Sequence, residues 1–315
     1  MTLRFPSQHW GVILGGSSGF GLATAQRLAE LGMSLCVVHR DRRSLLREVE
    51  PEFEKIRAGG TRLLSFNRDA LDAAVRDEIL DALRDALGAE GRVRVLLHSV
   101  AFGNLKLLAP ERPPERRGAN DLAAKLGIDP ARLRAVANEL FRAGADELVG
   151  LADPPDLSRG SFLDEDDLAR TVHAMGTSLV GWAQALLSRG LFAADARVFG
   201  LTSEGNRVAW KGYAAVGAAK CALESVARSL AVELAPFGVR TNVIQAGVTD
   251  TPALRAIPGS EFLKAQARLR NPFGRLTTPR DVANVIALLC SDEAAWINGE
   301  VIRVDGGEHV AGSGS

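Results

Sequence analysis

The stretch Trp10-Gly11-Val12-Ile13-Leu14-Gly15-Gly16-Ser17-Ser18-Gly19-Phe20-Gly21 decides how the rest of the chain is read. A branched apolar run passes directly into a glycine-rich turn. Residues Gly21 to Leu31 then carry Leu22, Ala25, Leu28 and Ala29 at helical spacing. Glycine permits a tight turn and a close backbone approach to a pyrophosphate, and the helix N-terminus supplies free N–H groups and a partial positive charge. A glycine-rich loop alone reads equally well as a flexible turn. Here the order of strand, loop, helix and second strand is what points to a nucleotide.

Working outward, further runs of branched apolar residues recur at Ser34 to His39, Thr61 to Asn67, Val93 to Val100, Arg197 to Thr202, Arg240 to Gln245 and Val301 to Asp305. Helix-length segments separate most of them, and this alternation predicts a parallel sheet. Consecutive apolar positions, as in Val37-Val38, suit strands covered on both faces. The expected fold is therefore α/β, a doubly wound parallel sheet of Rossmann type. Residues 105–161 break the rhythm. The stretch Ala109-Pro-Glu-Arg-Pro-Pro-Glu-Arg-Arg leads into helical patterns near Asn120 to Leu126 and Pro130 to Phe141, and Asp153-Pro-Pro-Asp closes them. These residues are expected to be a helical insertion near the active site, with 1–104 and 162–315 forming the dinucleotide-binding catalytic domain. Ligands of open α/β sheets bind at the carboxyl ends of the strands, where this segment departs.

The 315 residues suffice for a sizeable core, and 46% hydrophobic with 24% charged residues is ordinary for a globular chain. Lys plus Arg equals Asp plus Glu at 38 each, which removes the simplest argument for a nucleic-acid or anionic-membrane partner. Cys36, Cys221 and Cys290 show no metal or redox spacing and are expected to be reduced thiols. His9, His98, His173 and His309 are isolated in sequence, so no metal site is expected. No apolar run approaches a membrane span and Met1 to Trp10 lacks a signal-peptide core, so a cytoplasmic location is expected. The Gly-Ser-Gly-Ser ending from Gly312 reads as a flexible tail.

The loop spacing Gly-x-x-x-Gly-x-Gly resembles the short-chain dehydrogenase/reductase superfamily, and the resemblance spans nearly the whole chain outside 105–161. It implies that Gly15, Ser17, Ser18, Gly19, Phe20 and Gly21 hold a nicotinamide dinucleotide. It also implies that Asp69 and Ala70 bind adenine, and that Ser99, Val100, Ala101, Gly247, Val248 and Thr249 flank the nicotinamide. Where an acidic residue would accept the ribose hydroxyls of NAD, the sequence reads Val38-His39-Arg40-Asp41-Arg42-Arg43. A guanidinium there favours a 2′-phosphate, so NADPH is the expected cofactor through Arg40, with NADH the alternative.

One tyrosine is present, so any phenol chemistry belongs to Tyr213. Lys220 follows with six residues between, on a helix running to Leu234. At ~100° and ~1.5 Å per residue, that step returns to nearly the same helix face, so both side chains can address one cleft. The tyrosine one turn closer to the lysine in ordinary ketone reductases of the superfamily is replaced here by Val216. The longer spacing is similar to the enoyl-acyl-carrier-protein reductase branch. So are His98-Ser99-Val100-Ala101-Phe102, Leu201-Thr202-Ser203-Glu204-Gly205 and Val239-Arg-Thr-Asn-Val-Ile-Gln-Ala-Gly247. The branch implies Tyr213 and Lys220 as catalytic residues and an acyl thioester substrate, with acyl-carrier protein or coenzyme A as carrier.

Ser203 departs from that branch. It stands where many enoyl reductases have a second aromatic, and where carbonyl reductases place a catalytic serine, so carbonyl reduction remains the alternative. Met175 stands where carbonyl reductases have a proton-relay asparagine. A cofactor-binding regulator without turnover is the remaining possibility. In the segment Ala253 to Arg275, Leu254, Ile257, Phe262 and Leu269 are suited to enclose an acyl chain. Arg255, Lys264, Arg268 and Arg270 are suited to meet an acidic carrier, although a solvated amphipathic helix reads almost the same. Trp210 is a candidate for the substrate cleft, and Trp182 for the core. By analogy of the last strand, Val301-Ile-Arg-Val-Asp-Gly-Gly, the resemblance implies a homo-oligomer, tetramer or dimer.

Overall fold

The computed structural model describes residues 3–112, 116–157 and 160–312. The prolines at 113 and 114 of the Pro- and Arg-rich stretch and the end of the Gly-Ser tail lie outside them. Seven parallel strands form one sheet in the order β3-β2-β1-β4-β5-β6-β7. They are β1 His9–Leu14, β2 Ser34–His39, β3 Leu63–Asn67, β4 Arg92–His98, β5 Phe192–Thr202, β6 Arg240–Ala246 and β7 Val301–Val304. All six residues of β2 are buried, and so are five of the six in β1, as a doubly covered sheet requires.

Alternation along β1 sorts its side chains between two cores. Val12 and Leu14 join Ile79 and Leu83 of α3 (Ala73–Leu87), Trp182 and Leu186 of α7 (Ser178–Ser188), and Leu223 and Leu230 of α8 (Ala214–Glu233). Ile13 joins the opposite core with Leu28 of α1 (Gly19–Glu30), Phe53 of α2 (Leu46–Ala58) and Ile286 of α11 (Pro279–Leu289). The chain winds outward from β1 to β3 and then returns to β4 on the other side of β1. That reversal leaves a crevice beyond the carboxyl ends of β1 and β4.

Between β4 and α6 (Glu165–Val172) lie α4 Arg117–Leu126, α5 Pro130–Arg142 and a 3-10 turn at Asp146–Gly150. Gly127 ends α4 in the left-handed region at φ 67°, and Pro130 opens α5 with the fixed φ that suits a first turn. Two short helices, α9 Pro252–Arg255 and α10 Ser260–Arg270, follow β6. Strand β5 begins at Phe192, five residues before the branched run at Arg197. The added residues lack a β-rich signature and are recruited by pairing of Phe192 with Val93, across a register shift in β4. Strand β4 ends at His98; Ser99 still donates its N–H to the Leu14 carbonyl of β1 at 2.8 Å, and Ser99 to Ala101 line the cavity beyond the strand. Cys36, Cys221 and Cys290 are free thiols. No helix among the described residues is long and apolar enough to cross a membrane.

Candidate active site

The glycine loop is shaped by sterics that only glycine meets at two positions. Gly15 has φ +80°, and a Cβ there would lie 2.4 Å from the Ser99 carbonyl oxygen. A Cβ on Gly21 would lie 2.1 Å from the Gly15 carbonyl oxygen, so the first turn of α1 presses directly on the loop. Ser18 is the N-cap of α1 but its side chain makes no capping bond, which leaves the N–H groups of the first turn available to an anion. This is the cradle that a pyrophosphate fits.

A cavity of about 560 Å³ opens at the carboxyl edge of the sheet. Gly15, Ser17, Ser18, Gly19 and Phe20 line it from the loop, Arg40 from the end of β2, and Asp69 and Ala70 from the end of β3. Ser99, Val100 and Ala101 follow β4, Ser203 follows β5, Tyr213 and Lys220 come from α8, and Gly247, Val248 and Thr249 follow β6. Of the residues singled out in sequence as catalytic or cofactor-binding, Gly21 alone is off the wall, behind Gly15. Arg40 and Asp69 are joined as an ion pair, and the Arg40 guanidinium lies 5.1 Å from the centre of the Phe102 ring. Trp210 lines the cavity, whereas Trp182 is buried in the core and donates its indole N–H to the Ala70 carbonyl at 2.8 Å.

Tyr213 is the N-cap of α8, and its carbonyl accepts the Gly217 N–H at 2.8 Å. Its hydroxyl lies 3.2 Å from the Ser203 hydroxyl, and its ring meets Trp210 edge-on with centroids 5.3 Å apart. Burial raises the phenol above its ordinary pKa, and the Ser203 hydrogen bond opposes the shift only in part, so the group stays protonated and can donate. Lys220 is buried and donates to the Leu201 carbonyl at 2.8 Å. Desolvation brings its ammonium down to about 8, with Glu224 acting in the opposite direction. His98 does not reach the cavity wall. Its Nε2 lies 2.8 Å from the Ser178 hydroxyl, and burial, aided by Lys220, takes its pKa to about 3, so the ring is neutral. Met175 lines the cavity from a π-helical turn at His173–Thr177, and Val216 sits beside it in a small apolar cluster.

A family model described as Enoyl-(Acyl carrier protein) reductase matches residues 148–309, just over half of the chain. A "Probable 2,4-dienoyl-CoA reductase [(2E)-enoyl-CoA-producing]" of Bacillus subtilis is 30% identical over 94% of this chain and 95% of its own length. The chain belongs to the short-chain dehydrogenase/reductase superfamily. It is an oxidoreductase of the nicotinamide-dependent kind. The enoyl-[acyl-carrier-protein] reductase [NADH] FabI of Aquifex aeolicus is 44% identical, but over 32% of this chain and 37% of that protein. The crystal structure of FabI from Candidatus Liberibacter asiaticus superposes with a TM-score of 0.73 at 18% identity, covering 100% of both chains, and supports the fold.

Within this short-chain dehydrogenase/reductase, several site residues make contacts that the sequence does not reveal. A Cβ on Gly205 would lie 2.3 Å from Tyr213 Cε1, so this glycine is the floor on which the tyrosine ring rests. Arg270 grips Glu204 through two hydrogen bonds of 2.9 and 2.6 Å and reaches Glu308 at 2.7 Å. Glu308 in turn accepts the Val248 N–H at 3.2 Å. Burial raises the Glu308 carboxyl, against the lowering effect of Arg270. The other cations of the α9–α10 segment are also committed: Arg255 to Asp250 at 2.8 Å, Lys264 to Glu261 at 2.6 Å and Arg268 to Asp146. Each of these cations, which the sequence offers to an acidic carrier, thus has a carboxylate partner within the protein.

Proposed function

We propose that this protein reduces the C2=C3 double bond of a trans-2-enoyl thioester with NADPH. The observation that carries this reading is the Tyr213 hydroxyl, protonated and on the wall of a cavity that also holds Lys220 and the glycine cradle. Leu105, Met175, Val216, Leu254, Ile257 and Leu263 supply an apolar wall suited to an acyl chain. When bound, the nicotinamide supplies the hydride, which adds to C3 of the substrate. Negative charge would then develop on the thioester oxygen, and C2 would finally take a proton from solvent water. Tyr213 donates a hydrogen bond to that oxygen, and the bond strengthens as the charge grows, so it favours the transition state over the substrate. Lys220 adds positive potential and holds the ribose hydroxyls of the cofactor. Arg40, relinquishing Asp69, meets the 2′-phosphate, and Ser203 fixes the direction of the phenol.

Carbonyl reduction is the second reading, and the Ser203 to Tyr213 hydrogen bond favours it, because a serine and tyrosine acting on one oxygen is how a ketone would be polarised. One assay separates the two: oxidation of NADPH and of NADH with crotonyl-CoA and with acetoacetyl-CoA. The expected result is turnover of crotonyl-CoA with NADPH at more than about tenfold the efficiency of any other combination, a transition-state difference of about 1.4 kcal/mol. Preferred turnover of acetoacetyl-CoA would transfer the assignment to the second reading, and preferred use of NADH would remove the role given to Arg40.

A further inference from the structure

We infer that residues 116–157 are a brace that positions the substrate-covering helix α10, a role that rests on the reading of α9 and α10 as the acyl-chain side of the cavity. Helix α10 is held between two surfaces. Leu263 faces the cavity. Ala265, fully buried, instead packs with Phe141 and Ala152 in a small core that is separate from the two cores flanking the sheet. The Phe262 and Phe141 rings stand 4.7 Å apart. The main structural neighbour of α10 is the 3-10 turn Asp146–Gly150, not a strand of the sheet. Removing that turn therefore removes the element that α10 packs against most closely.

Polar geometry fixes the same docking. The Asp146 carboxylate receives two hydrogen bonds from Arg268, Nη2 to Oδ1 at 2.7 Å and Nε to Oδ2 at 2.5 Å. A fork of this kind specifies orientation as well as proximity. At the start of α10, Gly259 adopts φ +76°, and a Cβ there would meet the Pro155 ring at 2.3 Å. The two segments thus interlock at the N-terminus of the helix, at its middle and near its end. Among the described residues of 105–161, Leu105 is the one that lines the cavity. The segment accordingly acts on the substrate through α10 and does not form the pocket wall itself, so Asp146, Phe141 and Pro155 are positioning residues.

The test compares the full-length protein with Asp146→Arg, Arg268→Asp and the charge-reversed double variant. Two readouts are used: hydrogen exchange of backbone amides 260–270, and steady-state kinetics with crotonyl-CoA and NADPH. Each single variant should speed exchange in α10 by about tenfold while the amides of β1 and β4 keep their protection. Each should also raise KM by a similar factor with kcat within about twofold, because binding geometry is lost and the hydrogen-bond donor is not. The double variant should restore both quantities. Unchanged exchange in the single variants would overturn the brace. Faster exchange without a change in KM would overturn its effect on substrate. Absence of crotonyl-CoA turnover in the wild-type protein would overturn the proposed reaction, and the exchange data would still decide whether α10 is braced.

Discussion

Near the amino ends of β4, β5 and β6, Arg94, Arg197 and Arg240 converge on Asp195. Arg94 also donates to the Cys290 carbonyl at 2.8 Å, and Arg197 to the Leu289 carbonyl at 3.0 Å, where α11 ends. A helix C-terminus carries partial negative charge, so these guanidinium groups answer a dipole as well as a carboxylate. At the carboxyl ends of the same strands, Lys220 is buried with one acceptor among the described residues, the Leu201 carbonyl at 2.8 Å, although an ammonium has three donors. Tyr213 likewise has one partner hydroxyl, at 3.2 Å. Both sheet ends bury charged or polar groups: at the amino end Arg94 and Arg197 spend most of their donors on the fold, with Arg94 Nε left unpartnered, whereas at the carboxyl end the donors of Lys220 and Tyr213 stand in reserve beside a cavity. The difference separates scaffold from site.

The sharpest way to break this comparison is to remove the reserved donor. Tyr213→Phe should lower kcat by roughly 10²- to 10³-fold, the usual cost of losing an oxyanion donor, while the thermal midpoint shifts little. Full activity in that variant would remove Tyr213 from the chemistry. The converse experiment is Asp195→Ala, which leaves Arg94 and Arg197 buried without their shared carboxylate. Breaking a fully buried pair costs about 3–5 kcal/mol, and the 34% exposure of the Asp195 side chain reduces this to about 2 kcal/mol. Chemical denaturation should report that loss, with kcat at 25 °C unchanged. A fall in kcat without loss of stability would mean that the two sheet ends are not separable.

How much of this was legible in sequence follows from how local each feature is. The cradle is contiguous, Gly15 to Gly21, and its conformation is dictated by residues that only glycine satisfies. The pairing of Tyr213 with Lys220 needed one tyrosine and the period of a helix. The α10 cations read as a solvated face because their partners are remote: Asp146 is 122 residues from Arg268, and Glu204 is 66 from Arg270. No periodicity within a helix reveals which distant carboxylate will dock against it. Gly205 was visible as part of a motif, but its contact with the Tyr213 ring depends on how the loop after β5 folds back onto α8. The early start of β5 depends on a neighbouring strand and not on the propensity of Phe192-Ala-Ala-Asp-Ala.

The finest test of the comparison uses pH, because Lys220 is the buried cation whose proton is loosely held. Burial lowers its pKa from 10.5 to about 8, so the native state releases that proton before the unfolded chain does. If its positive charge serves the reaction, kcat/KM should fall above pH 8 by up to about tenfold per pH unit, a limb that reports the free enzyme. Stability should move the other way. Between about 8 and 10.5 the unfolded chain binds more protons at this site than the native state, so the contribution of Lys220 to stability rises with pH across that window. Below it both states are charged and the native protein carries the full cost of the buried ammonium, about 3 kcal/mol. Lys220→Met should therefore be more stable than wild type near pH 7, with the gap in thermal midpoint closing as the pH approaches 10. A gap that does not change with pH would mean that Lys220 is solvated in solution, and that its single protein acceptor is not a sign of reserve.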